Sequence, residues 1–272
     1  MEKSTLIGVF GGMAAVGVGM ALKGADPSTL INPAAFLIII MGTIAAIFNA
    51  FTMQGLKKVP KLFKILFFGK KFMPKQEILE LFVSLAKSAK QGGVVAIEKR
   101  AQEIDDAFLK SSLIMVADGF DADFIADTIE SEIKQMEERH RSGALIFAQC
   151  GMYAPTLGVL GAVIGLIAAL GNLSDIDQLG HSIAAAFVAT LLGIFTGYVL
   201  WHPFANKLKQ ISQEEVEIKK MILEGALTLQ SGASSIAMEA RLQAFIPLSE
   251  RKSQRDEGDS SEENNNEAKE KA

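Results

Sequence analysis

The side chains able to carry a proton or hold an ion are unevenly spread along this 272-residue chain. All 31 Asp and Glu residues lie outside four apolar windows, at 4–22, 31–53, 144–171 and 180–204. An ion path through lipid needs a titratable group at membrane depth, usually a carboxylate, and none of the windows supplies one. His181 and His202 stand at the outer and inner edges of the fourth window and read as interfacial residues rather than proton relays. His140, in MEERHR, reads as a solvated surface residue. The single cysteine, Cys150, excludes a disulfide or a cysteine metal site within one chain and reads as a small buried apolar residue. No P-loop, HExxH or GxSxG occurs. The chain is therefore expected to be no enzyme and to need no cofactor or metal. Unless it is a passive scaffold, a partner must contribute the carboxylate.

What the last two windows do contain is small residues at helical spacing. Ala154, Gly158, Gly161, Gly165 and Ala168 follow at steps of four, three, four and three, and Ala186, Thr190, Gly193 and Gly197 repeat the device. Helices in lipid gain little from burying more apolar surface, so close backbone approach over small residues is their main means of association. Such faces serve packing within one chain, assembly of subunits, or the lining of a space around another helix. Two prolines mark the same windows. Pro155 is flanked by helical sequence and is expected to kink its helix, whereas Pro203 either ends a helix at the interface or kinks it. Set at one depth, they would form a hinge between membrane and cytoplasm.

The elements that must position these residues follow from hydropathy. The chain is 49% hydrophobic, with a net charge of −4 and a mean hydropathy of +0.27, averages that conceal a sharp segregation. Each window approaches the ~20 residues needed to cross a bilayer, so all four are read as transmembrane helices. The first is kept as a span rather than a cleaved leader, because Glu2 cancels Lys3 and Lys23 sits badly for a cleavage site. Lys57, Lys58, Lys61, Lys64, Lys70 and Lys71 crowd behind the second window, while Lys23 is the only basic residue in the loops 23–30 and 172–179. By the positive-inside rule both termini and the segment 54–143 face the cytoplasm of a multi-pass plasma-membrane protein. No nucleic-acid partner is expected.

The resulting expectation is an all-α membrane protein with four transmembrane helices, in which long helices 3 and 4 extend into a cytoplasmic helical lobe. Residues 1–53 hold transmembrane helices 1 and 2, 54–143 a cytoplasmic helical domain, 144–204 transmembrane helices 3 and 4, 205–249 a cytoplasmic helical extension, and 250–272 a charged tail expected to be disordered. Within the lobe, Gly92-Gly93 should stop the helix begun in QEILELFVSLAKSAKQGG. Asp121 should cap a long helix running into the third window.

YAPTLGVLGAVIGLIAAL and LGHSIAAAFVATLLGIFTGYVLWHPFANKL closely resemble the MotA family of flagellar motor stator subunits, as do GGVVAIEKR, VADGFD, ILEGAL and LQAFIPLSER. The resemblance covers nearly everything but the tail. It implies a homo-oligomer, a pentamer, in the membrane lipid around a MotB dimer whose helix carries the ion-binding aspartate, with ion flow driving torque on the rotor protein FliG. It puts rotor contact on Lys90 and Glu98 and conformational coupling on Pro155 and Pro203. Gly158, Gly161, Gly165, Gly193 and Gly197 fall to helix packing. Sodium-driven relatives commonly read GTVIGL where this chain has Gly161-Ala162-Val163-Ile164-Gly165-Leu166, so a hydroxyl is absent at Ala162. That implies proton coupling, with Ala162 and Thr190 lining the path. Thr190 either bonds the partner's aspartate or a water, or packs with its hydroxyl returned to the Ala186 carbonyl. The rival is an energy-transducing channel subunit of the ExbB or TolQ kind, which usually has three spans.

Overall fold

The computed structural model describes residues 3–171 and 173–251, and among these every regular element is helical. The charged tail expected to be disordered lies, from residue 252 onward, outside the described residues. Among the described residues, four helical stretches are long and apolar enough to cross a membrane: Lys3–Leu22, Pro27–Ala50, Ala122–Leu170 and Ile176–Gln230. The chain is an all-α membrane protein, as its hydropathy requires.

Helix α1 (Lys3–Leu22) buries only Thr5 within the chain. The second span is built from α2 (Pro33–Phe36), a π turn (Leu37–Met41) and α3 (Gly42–Ala50). It closes at Ala50 rather than at residue 53, because Phe51 turns extended (φ −129°, ψ 150°) and Thr52 caps the short α4 (Met53–Leu56). Helix α5 (Val59–Phe68) is amphipathic, with Leu66 fully buried and Lys61 and Lys64 exposed. Helix α6 (Lys75–Gln102) is two helices in sequence. Gly93 breaks it with φ 63° and ψ −153°, a conformation essentially reserved for glycine, so the stop read at Gly92-Gly93 is a bend. After α7 (Ala107–Ala117), the Asp121 carboxylate accepts the Phe124 N–H at 2.8 Å and opens α8 (Ala122–Leu170), 49 residues long. Asp175 caps α9 (Ile176–Phe195) through the Gln178 N–H at 3.0 Å. A second π turn (Thr196–Trp201) joins α9 to α10 (His202–Gln230), and α11 (Ser235–Leu242) follows.

Residues group into two units: Met1–Lys71 with Gln135–Glu214, and Phe72–Lys134 with Glu215–Ala272. The first holds the membrane helices and α5. Its largest aromatic cluster joins Phe63, Phe147, Trp201 and Phe204, with Phe63 edge-on to Phe147 at 5.1 Å between centroids. The second is a helical lobe with a core of its own, in which Phe82, Leu85, Leu109, Leu113, Ile125, Ile129, Met221 and Met238 are essentially inaccessible. The glycine of ILEGAL is required there: a Cβ on Gly225 would meet the Phe82 ring at 2.8 Å.

Candidate functional site

The small-residue faces of α8 and α9 meet each other. A Cβ built on Gly193 would lie 2.8 Å from the Ala154 carbonyl oxygen and 2.8 Å from the Gly158 Cα; one built on Gly158 would lie 2.9 Å from the Ala189 oxygen and the Gly193 Cα. Further along, a Cβ on Gly165 would meet Ala186 Cβ at 3.0 Å, and one on Gly161 would meet Ala189 Cβ at 3.1 Å. The obstacles at Gly158 and Gly193 are backbone atoms, which cannot swing aside as a side chain does. The structure thus brings Gly158, Gly161, Gly165, Gly193 and Gly197 together in a seam inside one chain. The stepped series ends early: Ala168 is exposed and Ala169 is buried instead. Alternating steps of four and three average 3.5 residues per turn, and a 3.6-residue helix drifts from that by about 20° per heptad.

The two prolines join this seam differently. Helix α8 continues through Pro155, which has no N–H to return to the Gly151 carbonyl. Gly197 accommodates both consequences, since a Cβ there would meet the Pro155 ring at 2.7 Å and the Gly151 oxygen at 2.9 Å. Pro203 does not end its helix, contrary to one of its two readings; α10 runs on to Gln230. The π turn just before it explains how. The His202 N–H bonds the Gly197 oxygen, five residues back, widening the helix where the Pro203 ring would otherwise press on the Val199 carbonyl.

Ala162 and Thr190 flank the seam rather than fill it. Both are half-buried, and beside Thr190 on α9 the large side chains of Phe187 (71% exposed) and Ile194 (50% exposed) are only partly covered by the chain. The Thr190 hydroxyl donates to the Ala186 carbonyl at 3.3 Å, the local bond weighed as its packing role. Lys90 and Glu98 belong to the other unit, both exposed, on either side of the Gly93 bend. No pair of titratable groups converges in the apolar parts of α8 or α9, and no grouping of His, Cys, Asp or Glu among the described residues could hold a metal ion.

The histidines resolve individually. His181 is exposed; His202 tilts against Tyr198 at 5.3 Å between ring centroids and lies over Gly151. His140 corrects the reading of a solvated residue: it is half-buried, with Nδ1 3.1 Å from the hydroxyl of buried Ser212. Ser212 is 72 residues away in sequence, so nothing in MEERHR announced it. Sequence reasoning also missed Lys207. Its ammonium donates to the Ser4 and Thr5 hydroxyls, each at 2.7 Å, and Thr5 donates in turn to the Leu66 carbonyl at 2.9 Å. This chain of bonds ties α10, α1 and α5 together one turn beyond Pro203.

Comparison with known proteins agrees with this architecture. The MotA/TolQ/ExbB proton channel family matches residues 100–221. Motility protein A of Bacillus subtilis (strain 168) is 51% identical over 251 residues, covering 92% of this chain and 93% of its own. The solved flagellar MotAB stator complex from Bacillus subtilis contains a chain that superposes with a TM-score of 0.87 at 51% identity, over 92% of this chain and 98% of that one. A chain of C. jejuni MotAB superposes with a TM-score of 0.88 at 30% identity, over 93% of this chain and 100% of that one. With four membrane-capable helices, the glycine seam and a relative this similar over nearly its whole length, the chain belongs to the motility protein A family of flagellar stator subunits, which are channel proteins and not enzymes.

Proposed function

We propose that this chain forms a homo-pentamer in the plasma membrane around a MotB dimer, conducts protons along the joint surface, and converts that flow into torque on the rotor protein FliG. Both termini and the lobe carrying Lys90 and Glu98 face the cytoplasm. The observation that carries the reading is the separation of structure from charge. Four membrane helices are present, yet no Asp or Glu lies in the windows 4–22, 31–53, 144–171 or 180–204, so the titrating carboxylate arrives on another chain. Ala162 on α8 and Thr190 on α9, both half-buried, line the proposed path, with Phe187 and Ile194 one turn either side of Thr190. Pro155 and Pro203 act as the hinge. Lys90 and Glu98 make the rotor contact, as exposed charges whose contribution to folding is small.

Coupling to protons rather than sodium is supported by the oxygen count. A sodium ion that sheds its water needs several oxygen ligands. Ala162 offers none, and the Thr190 hydroxyl, which donates its proton to the Ala186 carbonyl and keeps its lone pairs, supplies a single oxygen. An uptake-energising role of the ExbB or TolQ kind is disfavoured by the four membrane-capable helices. Deleting the gene separates the two. Cells that keep their filaments but lose swimming, restored by the gene in trans, support the stator; normal swimming with impaired nutrient uptake overturns it.

A further inference from the structure

The stretch that follows the second span has an outer face of its own. Lys57 and Lys58 are both right-handed helical, and the Leu62 N–H bonds the Lys58 carbonyl at 3.1 Å, so α4 and α5 run on as nearly one helix. The inner side packs on protein: Leu66 is fully buried, and the Phe63 ring lies 5.1 Å from Phe147 and 6.4 Å from Phe204, centroid to centroid. The outer side carries Lys57, Lys61 and Lys64, all exposed, at steps of four and three that set them in one row, with exposed Lys58 beside it. Met53, one turn before the row, is 62% exposed, and Phe68, one turn after it, is 63% exposed. From Pro27 to Gln76 there is no Asp or Glu, and none of these four ammonium groups pairs with a carboxylate among the described residues.

This helix also stands at the level where the spans end. Helix α4 starts at Met53, just past the close of the span Pro27–Ala50. Near the other end of α5 the Leu66 carbonyl accepts the hydroxyl proton of Thr5, in the first turn of the span Lys3–Leu22. Phe147 and Phe204, against which the middle packs, lie at the start of the apolar window 144–171 and the end of the window 180–204. A helix about 15 Å long that meets the same end of all four spans lies along the membrane surface rather than across it. We infer that the row is a binding surface for anionic phospholipid, with Lys57, Lys61 and Lys64 against phosphate headgroups and Met53 and Phe68 entering the acyl boundary at its two ends. Interfacial helices bind through this combination of a cationic face and apolar anchors, and lysines clustered just beyond a span attract anionic lipid additively. An apolar protein partner would instead leave three lysines desolvated and unpaired. Binding of this kind depends on neither torque nor the conducted ion.

The test uses the full chain in nanodiscs of equal phosphatidylglycerol and phosphatidylcholine, with the lipids that stay on the ejected protein counted by native mass spectrometry. The wild type should retain phosphatidylglycerol preferentially, and less so when loaded at high salt. Each lysine of the row replaced by glutamine should lower the preference about fivefold, so the triple variant Lys57→Gln, Lys61→Gln, Lys64→Gln should lose it, whereas three arginines should preserve it. Removing the same charge from the lobe, at exposed Lys87, Lys99 and Lys134, should leave the preference intact. Equal retention of both lipids by the wild type, an undiminished preference in the folded triple variant, or equal loss in the lobe control overturns the site. If size exclusion shows the triple variant to be misfolded, the depth of the row decides. Lys61→Cys offers an exposed thiol for a fluorophore, since Cys150 is buried, and lipids spin-labelled at the headgroup should quench it. Quenching by a water-soluble agent alone would place the row away from the bilayer, and protection from both quenchers would mean that another protein chain covers it; either result overturns the site.

Discussion

A single methyl group at position 193 tests the seam most directly. In Gly193→Ala the new Cβ would sit 2.8 Å from both the Ala154 oxygen and the Gly158 Cα, where ordinary contact begins at 3.4 Å. The shortfall, 3.4 − 2.8, is about 0.6 Å, and since both obstacles are backbone it can be relieved only by moving one helix away from the other. Overpacking of this kind costs ~1–3 kcal/mol. Alanine returns roughly 0.5–1 kcal/mol through its better helix propensity, leaving a net loss of about 1 kcal/mol at the middle of both ranges and ~0–2.5 kcal/mol at their extremes. For a chain of this size the central value corresponds to a midpoint roughly 2–4 °C lower. Gly17→Ala is the control, since its Cβ meets nothing within 4 Å; it should leave the midpoint unchanged or raise it slightly. The assay heats detergent extracts of a fluorescent-protein fusion and reads the soluble, correctly eluting fraction. Equal midpoints for Gly193→Ala and Gly17→Ala would refute the claim that backbone contact holds α8 against α9.

Three other outcomes are expected. Gly93→Ala places a Cβ at φ 63°, ψ −153° and should destabilise the lobe by ~1–3 kcal/mol, seen as faster limited proteolysis after Lys90 or Lys99; wild-type resistance would contradict the strain. Lys90→Glu and Glu98→Lys, at exposed positions, should change folding stability by no more than about 0.5 kcal/mol while reducing swimming speed, and restoration by an opposite charge reversal on FliG would locate the contact; full torque in both single variants would remove them from it. Replacing sodium by potassium at fixed pH should leave swimming unchanged while a protonophore abolishes it, and the reverse pattern would overturn proton coupling.

The helices, and the start of α8 at Asp121, were legible because their causes are local. Asp121 and the Gly92-Gly93 pair act within a few residues of themselves, and apolar length alone identifies membrane-capable helices. The glycines of α8 and α9 were visible as a stripe, but which surface each stripe meets depends on the partner helix. Thr190 shows the limit: grouped by spacing with Ala186, Gly193 and Gly197, it flanks the contact while Ala189 enters it. The π turns had no signal of their own, since no residue type encodes a five-residue hydrogen bond, and only Pro203 hinted at one. Pairings across long sequence distance, such as His140 with Ser212 or Lys207 with Ser4, arise from the packing of apolar neighbours and leave no trace in either segment's pattern. The rotor-facing role given to Lys90 and Glu98 rests on family likeness, because an exposed charge has the same appearance whether or not a partner exists.

Trp201 is the only tryptophan in the chain. It closes the π turn two residues before Pro203, within 6.4 Å, centroid to centroid, of Phe63, Phe147 and Phe204. Its indole N–H is buried and donates to no protein group among the described residues. Such an indole emits at short wavelength, and its emission moves to the red when its surroundings become polar. The protein therefore contains an optical gauge at its proposed hinge. In proteoliposomes made from the unlabelled chain and a tryptophan-free partner, the colour and lifetime of this one fluorophore would follow any opening of the aromatic cluster as a proton gradient is applied and collapsed.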